Sequence, residues 1–159
     1  MMLNQYGLVK EPNDIDILVD LHDITEGERV FNGLGEKEIN EADAQYDTVF
    51  FNEYVIGHVD CDVMAGFRIN HAGGVFCYPF DEHSVSVWKV IDGVKIPFMS
   101  LEDWYVIYQL IPHRESKVDL IEDYLRTHGV KHPLLLERLL NENLPEHVKK
   151  RTKSLLDRF

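Results

Sequence analysis

Little in this chain of 159 residues supports the commoner chemistries. Two cysteines, Cys61 and Cys77, are too few for a disulfide framework or a structural zinc site, which suits a reducing, cytoplasmic setting. No run of about 18 apolar residues occurs, so a membrane-spanning helix is not expected. The first ten residues lack the basic start and apolar stretch of a secretory signal. Walker loops, G-x-G-x-x-G and G-x-S-x-G are absent, so P-loop, dinucleotide and serine-nucleophile chemistries have no support. The motif H-E-x-x-H does not occur, His128 and His132 being four apart with glycine where the motif has glutamate, so zinc-protease chemistry has no support. Positive charge is also scarce: the formal charge is −12. That balance argues against broad, sequence-independent binding of nucleic acid.

The charge is unevenly spread. Residues 1–125 hold 24 acids against 8 Lys and Arg, whereas residues 126–159 hold 4 against 8. An acidic body therefore precedes a mildly basic tail, whose plainest reading is a solvated helix face.

Patterning predicts an α/β chain whose element types change near residue 100. In Asp14 to Asp20 the apolar residues Ile15, Ile17 and Val19 alternate with Asp14, Asp16 and Leu18, the period of a strand. A helix is expected from Thr25, which has capping-box spacing to Glu28, and a polar loop over 37–45. Strand composition marks 47–51 and 54–64, with a break at Asn52-Glu53. A hairpin is expected over 84–98 because Asp92-Gly93 suits a two-residue turn. Helical spacing then takes over. Ser100 opens one helix and Pro112 stops it. A second spans 115–128 and stops at Gly129, Pro133 opens a third, and Pro145 opens a fourth. Trp104, Tyr105, Tyr108, Leu120, Tyr124 and Leu125 are the expected core of this helical part.

The candidate chemistry lies in the strand aspartates. Asp14 and Asp16 are two apart, so one strand face carries both, and Asp60 and Asp62 repeat the arrangement on a later strand. If those strands are neighbours, three carboxylates converge. Such a group calls for a cation or a shared proton, and magnesium or manganese suits an all-oxygen set. His58 is a possible further ligand, while Cys61 points the other way, into the core. A merely solvated acidic sheet face is the alternative reading of the same residues.

The order of these features resembles a known family. Asn13-Asp-Ile-Asp-Ile17, Val59-Asp-Cys-Asp-Val-Met64, Gly93-Val-Lys-Ile-Pro97 with Ser100-Leu-Glu102, and Arg114-Glu-Ser-Lys117 succeed one another. This succession resembles the small nucleotidyltransferase-like proteins of the DNA polymerase β superfamily, including minimal and abortive-infection types. The resemblance implies a mixed twisted sheet flanked by helices, with a nucleotidyltransferase-like α/β core over 1–99 and a helical subdomain over 100–159. It also implies transfer of a nucleoside monophosphate from a nucleoside triphosphate to an acceptor hydroxyl. Asp14, Asp16 and Asp62 would be the catalytic and metal-binding acids for Mg2+ or Mn2+, with Asp60 the substitute for Asp62. Arg114 and Lys117 would face the phosphates, ordinary surface charge being their other reading. The family's Gly-Ser or Gly-Gly pair, which holds the triphosphate, would fall at or before Met1-Met2 and is not seen. The same resemblance therefore also accommodates a catalytically degenerate protein that binds or regulates a partner. A homo-oligomer or a cognate protein partner is compatible with either reading.

Overall fold

The structure is a computed structural model describing residues 2–10, 14–38 and 43–159; Met1, Asn13 and the central part of the expected 37–45 loop lie outside the described residues. The chain divides into two compact units, residues 3–70 and residues 71–159.

The first unit is built on a four-stranded sheet. Strands β1 (Asp14–Leu18), β2 (Glu36–Lys37), β3 (Phe50–Ile56) and β4 (Val59–Ala65) lie in the order β1-β4-β3-β2, with helix α1 (Ile24–Leu34) between β1 and β2 in sequence. β1 runs parallel to β4, and the other pairs are antiparallel. One face carries the core. Tyr54, Cys61 and Val63 are buried there, with Ile15, Ile17, Val19 and Phe31 packed against them. Alternation then sends Asp14, Asp16, Asp60 and Asp62 to the other face. α1 starts after Asp23, one residue before the expected position, and the Asp23 side chain makes no cap. Its close is tight: a Cβ on Gly35 would lie 2.3 Å from the Val55 carbonyl oxygen, so backbone fills the space a side chain would need.

The expected break at Asn52-Glu53 is not there. β3 runs unbroken through both residues, and the reversal comes at Gly57-His58, with φ values of 56° and 73°. Two successive positive φ values make the tight turn that matches strand twist. Asn52 tolerates a buried strand position because its side-chain amide donates to Glu28 Oε1 of α1 at 3.2 Å. His58, expected on the strand, therefore occupies an exposed turn position.

Two further strands, β5 (Arg68–His71), in which the boundary between the units falls, and β6 (Gly74–Cys77), follow. The second unit contains the hairpin β7 (Val87–Ile91) and β8 (Val94–Phe98), then α2 (Leu101–Tyr108), α3 (Glu115–His128), α4 (Pro133–Leu140) and α5 (Glu146–Leu156). Asp92 and Gly93 form the hairpin turn with φ of 49° and 80°, as their chemistry requires. The strand-to-helix change falls at Ser100, and the hairpin groups with the helices in one compact unit.

α2 is the centre of this unit, and every residue from Leu101 to Ile107 is buried. It packs on α3 and α4, and α4 packs on α5. Because α2 is enclosed on all sides, its acids are enclosed too. Glu102 accepts hydrogen bonds from the backbone N–H groups of Lys131 and His132, at 2.7 and 3.0 Å, at the entry to α4. These are donors that a helix start leaves without intrahelical partners. Leu120 departs from expectation: it is 44% exposed, and Val118, Ile121 and Leu125 form the inward stripe of α3.

Candidate active site

The parallel pairing of β1 with β4 sets the site. Asp14 is the register partner of Asp60, and Asp16 is the partner of Asp62. Neighbouring strands are about 4.8 Å apart, and partners across a sheet project from the same face. Four aspartates thus form two adjacent rows at the β1 edge, on the face opposite the core. The expectation that Asp14, Asp16 and Asp62 share a face holds in the geometry, and Asp60 stands beside Asp14.

A fifth acid extends the inner row. Glu53 of β3 is the antiparallel partner of Asp62, which gives a row Asp16, Asp62, Glu53 across three strands. Glu53 was hidden in the sequence because Asn52-Glu53 reads as a break between strands. With one continuous strand, the two-residue spacing from Phe51 to Glu53 to Val55 would have placed it.

The electrostatics follow from the crowding. Burial pushes Asp62 up from the usual carboxylate range to about 6, and the negative charges of Asp16, Glu53, Asp14 and Asp60 push in the same direction. Like charges this close disfavour full ionisation unless a cation or proton intervenes. Cys61, on the opposite face, is raised by burial and by Asp62 and Asp60, which makes its thiol a poor nucleophile.

Magnesium or manganese can be tested against this donor set. Every side chain in the two rows apart from Val55 is a carboxylate, and hard divalent cations prefer oxygen ligands. The chemistry fits. The side chains stand in rows and are not wrapped round a point: among the described residues no three His, Cys, Asp or Glu form a ready metal-binding group. A bound ion would draw the carboxylates inward from the sheet surface.

Arg114 and Lys117 belong to the second unit. Arg114 is exposed at the residue before α3 and caps nothing with its side chain. Lys117, in the first turn, holds its ammonium 5.0 Å from the centre of the Tyr108 ring. The acids and these two cations thus come from different compact units.

No family model and no curated protein matches this chain. Among solved structures it is similar to the crystal structure of a "putative nucleotidyltransferase" from Thermotoga maritima, with a TM-score of 0.56 and 26% sequence identity. The match covers 79% of this chain and 77% of that one. The chain has a nucleotidyltransferase-like α+β fold, with parallel and antiparallel strands in one sheet. Among the described residues no helix is long and apolar enough to cross a membrane.

Proposed function

We propose that the protein is a metal-dependent nucleotidyltransferase, which transfers a nucleoside monophosphate from a nucleoside triphosphate to an acceptor hydroxyl. The observation that carries this reading is the register of β1 on β4, which sets Asp14 beside Asp60 and Asp16 beside Asp62 on one open face. The likeness to the Thermotoga maritima structure supports it.

Asp14, Asp16 and Asp62 would hold Mg2+ or Mn2+, with Asp60 in reserve. The ions would neutralise the triphosphate and stabilise charge on the attacking and leaving oxygens of an in-line displacement. The residues themselves do the positioning. β1 and β4 fix the two rows of carboxylates relative to each other, so the reacting groups are oriented before they meet. Asp62 lies between Asp16 and Glu53, at the centre of the row, and burial together with the carboxylates around it favours a neutralising cation there.

The test is pyrophosphate release from nucleoside triphosphates with Mg2+ or Mn2+, against a panel of small hydroxylated acceptors and RNA. Wild type should turn over only with the metal, and Asp16→Asn and Asp62→Asn should each lose about a thousandfold or more in rate, the scale on which two-metal chemistry depends. Equal rates for wild type and both variants would remove the reading.

A further inference from the structure

The carboxylate rows do not end at the edge of a polar patch. Along the same face, two residues further in each strand, come Leu18, Met64 and Phe51, with Phe51 paired to Met64 and Leu18 paired to Met64 on its other side. Beyond them, the backbone N–H of Val49 donates to the Gly66 carbonyl at 3.2 Å, which continues the β3–β4 pairing. Gly66 has a φ of +60°, and a Cβ there would lie 2.8 Å from Val49 Cγ2 and 3.2 Å from Leu21 Cδ1. Val49 and Leu21 therefore close over a floor without a side chain. Phe51, Val49 and Leu21 are 39, 53 and 47% exposed. Three large apolar side chains thus stay open to solvent in one tract that starts beside Glu53.

Exposed apolar side chains scattered singly need no explanation, but a contiguous apolar surface that adjoins a candidate site does. Its spacing is informative. Two residues along a strand advance about 6.6 Å, which is on the scale of a ribose between a phosphate and its base. The tract is also uniform in chemistry: Leu18, Leu21, Val49, Phe51 and Met64 offer no side-chain hydrogen bond of the kind that reads a base edge.

We infer that this tract is the nucleobase platform of the proposed transferase. The base of the incoming nucleoside triphosphate stacks on Phe51 and lies against Val49 and Leu21, and its phosphates reach the carboxylate rows. Every base has a π-face, so stacking without edge contacts accepts all four. The substrate class is then nucleoside triphosphates with little discrimination among bases, purines being favoured only for their larger ring. The inference rests on the transferase reading.

The experiment measures binding of ATP, GTP, CTP, UTP and inorganic tripolyphosphate by calorimetry in Mn2+, for wild type, Phe51→Ala, Phe51→Tyr and Asp16→Asn. The four nucleotides should bind wild type within about tenfold of one another. Phe51→Ala should weaken each of them roughly tenfold or more, the scale of one lost base–aromatic stack, and leave tripolyphosphate unchanged. Phe51→Tyr keeps the ring and should keep the affinity, which separates stacking from any effect on folding. Nucleotide affinity that is indifferent to Phe51→Ala, while tripolyphosphate still binds in a manner sensitive to Asp16→Asn, overturns the platform and spares the transferase. Discrimination of a hundredfold or more among the four bases also overturns it. Failure of tripolyphosphate and all four nucleotides to bind removes the transferase reading and the platform together.

Discussion

Acids are buried or crowded in both compact units, and the two units treat them in opposite ways. In residues 71–159 each buried acid is met by donors. Ser100 donates its hydroxyl to Asp103 Oδ2 at 2.9 Å and accepts the Asp103 backbone N–H at 3.0 Å, a reciprocal cap at the start of α2. Glu122 of α3 receives Tyr105 Oη at 3.2 Å, Arg151 Nε at 2.6 Å, and Arg126. In residues 3–70 the strand acids around Asp62 crowd one another, Asp16 on one side of it and Glu53 on the other. Asp62 and Asp103 are both raised to about 6, chiefly by burial, but the causes that follow have opposite signs. Around Asp103, Ser100, Tyr78 and Arg138 all favour the ionised form; around Asp62, four carboxylates all disfavour it. The same shift marks a structural acid in one place and a site in need of a counter-ion in the other. A perturbed carboxylate becomes informative only when its neighbours are named.

The contrast breaks most visibly on deletion. Replacing Glu122 with Ala leaves the buried Tyr105 hydroxyl without its acceptor and sets Arg126 and Arg151 side by side, which should cost about 3 kcal/mol in urea unfolding. Asp62→Asn relieves repulsion, so without divalent cations its unfolding midpoint should equal or exceed that of wild type. A loss comparable to that of Glu122→Ala would show that the first unit's acids are as well partnered as the second's.

Next in size is the response to cations. An ion bound only by the folded protein stabilises it by about 2.7 kcal/mol at a hundredfold excess over Kd. Mg2+ or Mn2+ should raise the melting temperature of wild type, do so equally in Asp103→Asn, and leave Asp62→Asn unmoved. A flat response in all three would make the acidic rows a solvated sheet face.

Smallest is the dependence on pH. Both aspartates hold their protons to higher pH in the folded chain than in the unfolded one, where an aspartate titrates near 3.9. Between about 4 and 6 the folded state binds more protons, so stability contributed by these groups is full below that window, falls through it, and is level above it. Asp62→Asn and Asp103→Asn should each flatten part of the fall in denaturation midpoint. Divalent cations should flatten only the part that belongs to Asp62.

Much of this arrangement was legible from local chemistry. The parity of Asp14 and Asp16 against Ile15 and Ile17, and of Asp60 and Asp62 against Cys61, assigned each side chain to its face. Gly129, Pro133 and Asp92-Gly93 marked ends and turns because backbone conformation at those residues is dictated by the residues themselves. What was hidden depends on partners distant in sequence. Asn52 and Glu53 are weak strand formers, and they continue β3 because α1 supplies Glu28 to the Asn52 amide and because the β4 backbone pairs with both residues, at Val63 and Asp62. Leu120 has the composition of a core residue, yet α3 turns Val118 and Ile121 inward instead. Which strands become neighbours is also non-local, and the parallel pairing of β1 with β4 had to come from the structure.

That pairing predicts an order of events in folding. β3 and β4 are joined by a two-residue turn and can zip together within microseconds, whereas β1 meets β4 only after about forty intervening residues have closed into a loop. Asp14 and Asp16 are therefore expected to reach Asp60 and Asp62 late, after β3 and β4 have paired. Mutual repulsion of the acids is felt at the end of folding and does not obstruct its beginning. If β1 docks after the rate-limiting step, a cation that bridges β1 and β4 should slow unfolding and leave the rate of folding nearly unchanged, and folding kinetics with and without Mn2+ would show it.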